Sequence, residues 1–92
     1  MPPWKFLSNH GMVLLLIAEK GNITARQLSE ILGITERSVR RIIKDLQESG
    51  YLQVKKSGRL NNYRINREAA IGLKGLGKIP LGDFLTLLEN QE

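Results

Sequence analysis

The 92-residue chain contains no cysteine. Disulfides, zinc–thiolate sites and thiol nucleophiles are thereby excluded. Histidine is nearly as scarce. His10 stands alone, so neither a histidine metal cluster nor a histidine-based catalytic dyad can be assembled. No grouping of nucleophile, base and orienting side chain is visible, and the expectation is a protein that is not an enzyme and needs no metal or cofactor. The longest apolar run, Met12 to Ala18, falls far short of the roughly 20 residues of a membrane span. Met1-Pro2-Pro3-Trp4 is not the basic-then-apolar opening of a secretion signal, so the expected location is the cytoplasm. Asn22-Ile23-Thr24 matches a glycosylation sequon, and without such a signal the match is read as chance. Aromatic residues make up only 5% of the chain, and Trp4 and Phe6 among them read as a hydrophobic clasp for the N-terminal arm.

What the chain does have is positive charge in one place. The formal net charge is +5. Between Arg37 and Arg64 lie eight basic residues and two acids, a net of +6, while the remainder carries six basic residues against seven acids. A cationic segment of this kind suits a polyanion, whereas a merely solvated face intersperses both signs.

The order of elements is legible from caps and periods. Ser8 to Lys20 reads as a first helix stopped by Gly21. Its centre is apolar all round, so it needs cover on more than one side, and a second subunit is one source of it. Thr24 and Gln27 form a capping box for a second helix whose Leu28, Ile31 and Leu32 share one side. Gly33 ends it in a left-handed turn, Ile34 packs inward, and Thr35 caps a third helix running to about Ser49 and ended by Gly50. In the third helix Val39, Ile42, Ile43 and Leu46 fall on one side, with Arg37, Arg41 and Lys44 opposite and Arg40 at the flank.

After Gly50 the period changes to two. Tyr51 to Lys55 and Asn62 to Asn66 alternate around a basic, glycine-containing turn, which predicts a β-hairpin with Leu52, Val54, Tyr63 and Ile65 on its inner face and Arg64 facing out. Gly72, Gly75, Gly77 and Pro80 predict an irregular connection. A last helix, roughly Gly82 to Asn90, carries Leu81, Phe84, Leu85 and Leu88 at helical spacing. That stripe can fold back onto its own domain or zip against a partner, and the apolar first helix tips the reading towards a partner.

Two short helices joined by a glycine turn, the second one basic, describe a helix-turn-helix. Leu28, Leu32, Gly33, Ile34, Val39 and Ile42 all stand at the offsets that lock such a pair. The stretch from Asn22 to Asn66 resembles the winged helix-turn-helix domain of prokaryotic transcription regulators of the MarR and ArsR kind, most closely in Thr24 to Thr35 and Val39 to Leu52. The resemblance implies a mainly α fold with a small β-hairpin (α+β), a homodimer, a third helix in the major groove of double-stranded DNA and the hairpin as a wing along the backbone. The chain departs from those families in having no recognisable effector pocket, no metal ligands and a short glycine-rich C-terminal region, so ligand or metal sensing is not implied. The expected organisation is a winged helix-turn-helix over residues 1–70, followed by a connection and C-terminal helix over 71–92.

Groove geometry then sorts the residues. The N-terminal turn of a recognition helix meets base edges first, which nominates Thr35, Glu36, Arg37 and Ser38, with Arg41 one turn on. Arg37 and Arg41 suit guanine O6 and N7, while Glu36 can accept from a cytosine amino group or simply favour the helix dipole. Thr24, Arg26, Arg40 and Lys44 are expected on phosphates, and Lys55, Lys56, Arg59 and Asn61 of the wing (55–62) on backbone or minor groove. Leu14, Ile17, Leu81, Phe84, Leu85 and Leu88 are the expected dimer contacts. RNA binding and protein–protein contact are the rival uses of such a domain. Gly72 to Lys78 has the spacing of a phosphate-binding loop, but Ile79 stands where Ser or Thr would hold magnesium and no βαβ unit precedes it.

Overall fold

The structure, a computed structural model, describes residues 3–57 and 60–89, with side-chain surroundings described outside 56–61. Four helices and two β-hairpins follow one another as α1 (Asn9–Lys20), α2 (Ala25–Leu32), α3 (Glu36–Glu48), β1 (Leu52–Ser57), β2 (Leu60–Ile65), β3 (Ala70–Leu73), β4 (Gly77–Pro80) and α4 (Leu81–Glu89). This is the α+β, winged helix-turn-helix arrangement that the caps and periods predict.

Each of the first three helices begins where a side-chain oxygen satisfies an otherwise unpaired N–H. Ser8 Oγ accepts from Gly11 N at 3.2 Å. Thr24 Oγ1 accepts from Gln27 N at 3.0 Å while Gln27 Oε1 accepts from Thr24 N at 2.9 Å, completing the capping box. Thr35 Oγ1 accepts from Ser38 N at 3.1 Å. Gly33 sits at φ 67°, ψ 32°, the left-handed conformation the α2–α3 turn requires.

A single core joins the elements. Val13, Leu28 and Val39 are completely buried, and Ile42, Leu46, Leu52, Leu81 and Leu85 lie with them. The wing strands are antiparallel, with Leu52 opposite Ile65 and Val54 opposite Tyr63, so the inner face is the predicted one. Asn66 fixes the root of the wing: its N–H donates to Tyr51 O at 2.9 Å and its Nδ2 to Gly50 O at 3.2 Å.

Four expectations change. The glycine-rich connection is a second antiparallel hairpin, with Ile71 opposite Ile79 and Leu73 opposite Gly77. Gly75 (φ 85°) and Gly77 (φ 96°) make its tight turn, and strands of four residues are too short to show a period. The lysines of the loop-like motif belong to this hairpin, Lys74 to its turn and Lys78 to β4. The C-terminal stripe packs at home rather than waiting for a partner. Leu81 and Leu85 are each 1% exposed within the one chain, and α4 supplies the second cover of α1. Arg67 holds α4 there, donating to Glu89 Oε1 (2.9 Å), Gly82 O (3.2 Å) and Thr86 Oγ1 (3.3 Å). Finally, Trp4 and Phe6 are exposed and meet each other at 6.4 Å between ring centroids, and it is Leu7 that turns inward. Ile31 of α2 is likewise exposed, leaving Leu28 and Leu32 as the inward side of that helix.

Candidate nucleic-acid interface

The core face of α3 fixes its opposite face. With Val39, Ile42, Ile43 and Leu46 buried, Arg37, Arg41 and Lys44 are all exposed on the other side. None of the three makes a hydrogen bond or ion pair among the described residues, so the ridge is open to an external anion. The neighbouring groups are already engaged. Arg40 Nη2 lies 3.1 Å from Glu36 Oε2 across one helical turn, and Arg26 Nε lies 3.2 Å from Glu30 Oε1. Both pairs are exposed, and such pairs are worth little and open readily. Arg40 and Arg26 thus remain available to an external anion, and Glu36, in the first turn of α3, also faces the positive end of the helix.

Thr35 and Ser38 form a local unit. Thr35 Oγ1 accepts from Ser38 N at 3.1 Å and donates to Ser38 Oγ at 2.9 Å. Thr24 is similarly held in the capping box of α2. In the wing, Lys55 and Arg64 lie on the exposed face, opposite Asn62 and Gln53 respectively. Lys56 and Asn61 pair through their backbones, while their side chains and the whole of Arg59 lie outside the described residues.

Of the six apolar residues expected at a dimer contact, Leu14, Ile17, Leu81 and Leu85 are buried in the chain's own core. Phe84 is half-buried against that core, and Leu88 is 40% exposed. Leu88 closes one end of an apolar groove between α1 and α4 that also includes Met12, Leu15 and Leu16.

Sequence reading missed one pair that touches the interface from behind. His10 Nε2 and Asp45 Oδ2 are 2.8 Å apart, joining the start of α1 to the last turns of α3. A lone histidine 35 residues from its partner carries no local signal.

Residues 11–64 match the HTH domain family, a span that covers most of α1, the helix pair and nearly all of the wing. The chain belongs to the HTH domain family. Its fold recurs in a solved structure. ZitR of Lactococcus lactis, determined as a point mutant, superposes with a TM-score of 0.58 over 75% of this chain and 49% of that one, at 24% identity. The uncharacterized protein MJ1254 of Methanocaldococcus jannaschii is 31% identical over 67 residues. Those residues are 72% of this chain and 14% of the relative, so the HTH domain here spans a small part of that protein's length. Among the described residues no helix is long and apolar enough to cross a membrane.

Proposed function

We propose that this HTH domain is a sequence-specific, double-stranded DNA-binding regulator of transcription that acts as a homodimer. The observation that carries the reading is the ridge of Arg37, Arg41 and Lys44, exposed and without a partner among the described residues, on the helix that follows the glycine turn. An α-helix fits the major groove, and arginine can grip guanine O6 and N7 with two parallel bonds. In this reading Arg37 and Arg41 read bases with Ser38, and Thr35 and Glu36 shape that end of the helix. Thr24, Arg26, Arg40 and Lys44 hold phosphates, and Lys55, Lys56, Arg59 and Asn61 extend the contact along the backbone or minor groove. A protein-binding winged helix would call for a neutral or mixed face, which the unpaired ridge is not. A cytoplasmic location follows from the same reading.

Because Leu81 and Leu85 are taken up within the chain, the second copy is assigned to what they leave exposed. The groove of Met12, Leu15, Leu16 and Leu88, with the exposed Leu87 beside it, is the surface for it. Binding to duplex DNA and duplex RNA, each across a range of salt, tests the function. The expected result is a steep salt dependence together with a DNA sequence preference orders of magnitude above background. Equal competition by duplex RNA, with no DNA sequence preferred, would overturn it.

A further inference from the structure

On the side of α1 away from the α1–α4 groove, the second hairpin creates a feature that no sequence motif announces. Leu14, Leu46, Ile71, Ile79, Leu81 and Phe84 wall a concave cavity of about 420 Å³. The lining comes from α1, α3, β3, β4 and α4, and its floor is deep in the core, with Leu81 at 1% and Leu14 at 6% exposure. The volume falls within the roughly 300–1,000 Å³ typical of small-molecule sites.

The polar groups of the lining define what it can accept. They belong to Ser8, His10 and Tyr51, and each has one atom already engaged within the chain. Ser8 Oγ accepts from Gly11 N, His10 Nε2 is 2.8 Å from Asp45 Oδ2, and Tyr51 Oη donates to Ala70 O at 3.3 Å. Among the described residues, no lysine, arginine, aspartate or glutamate lines the cavity. A charged guest would therefore lose its hydration without meeting an opposite charge. We infer that this cavity is a binding site for one neutral, hydrophobic small molecule per chain. Its walls include Leu46 of the recognition helix, and its rim holds the His10–Asp45 link to the same helix, so an occupant would sit directly behind the DNA-facing element.

The neutral fluorophore N-phenylnaphthylamine tests the site on the full chain. Gly11 lines the cavity, and a Cβ there would meet only Ser8 Oγ at 3.7 Å and Leu7 Cβ at 3.9 Å, both ordinary contacts. Gly11→Leu should therefore leave the helix intact while filling the space. Leu73→Glu, at a rim position already 37% exposed, adds charge to the lining without a core change and decides the matter if Gly11→Leu fails to fold. Saturable binding of one probe per chain, weakened about tenfold or more by the folded variants, is the expected result. Three results overturn the site: no saturable binding, binding that the variants leave unchanged, or one probe per two chains lost on dilution to the monomer. The last would mark the hydrophobic surface as a contact between copies.

Discussion

Arg41 and Lys55 are both exposed cations, yet they stand on different elements and should fail differently. Arg41→Ala is expected to cost about 1–3 kcal/mol on the preferred DNA and to flatten the preference at one base position. Lys55→Ala should weaken every sequence alike and reduce the salt slope by about 1. Affinities measured across a panel of operators at two salt concentrations separate the two, and uniform losses for both would contradict the division. The caps Thr24 and Thr35 were readable from sequence, because each bonds three positions ahead. Arg67 was not, since Gly82, Thr86 and Glu89 stand 15 to 22 positions away and only the folded chain brings them together.

Among the elements, α2 and α3 carry the stability of the helix-turn-helix. Leu28 is completely buried between them, and Leu28→Ala should cost about 2–5 kcal/mol, seen as a large fall in Tm. Thr24→Ala removes the capping box and should cost about 1 kcal/mol with the fold retained. At the other end of the chain α4 depends on a close approach. A Cβ at Gly82 would lie 3.1 Å from Arg67 O and 3.0 Å from Arg67 Cβ, while Gly82 N donates to that same oxygen at 2.7 Å. Gly82→Ala should therefore loosen α4 and raise amide exchange selectively at Leu85 and its neighbours. An unchanged exchange pattern would show that the close approach does not hold the helix. The three helices and the wing were legible because cap chemistry and periods agree over long segments. The second hairpin was not, because its strands are four residues long and its glycines read equally well as a loop.

At the scale of the whole molecule, charge and apolar surface are separated. The +6 segment supplies the ridge of α3 and the wing, and the remaining apolar groove lies between α1 and α4. If that groove seats a second copy, solution mass at tens of micromolar should be about twice the 10.4 kDa of the chain, and Leu88→Glu should return it to the monomer. A wild-type monomer at that concentration would contradict the dimer. The fate of the C-terminal stripe could not be settled by its spacing, since Leu81 and Leu85 suit a home core and a partner's core equally well. Their burial at 1% exposure within the one chain is what decides for the former. Selection of bound duplexes from a random pool tests whether the Arg37–Arg41–Lys44 ridge reads duplex DNA. An enriched motif with guanines, repeated as a palindrome with half-sites about one helical turn apart, is the predicted result. A pool that binds but converges on no sequence would contradict it.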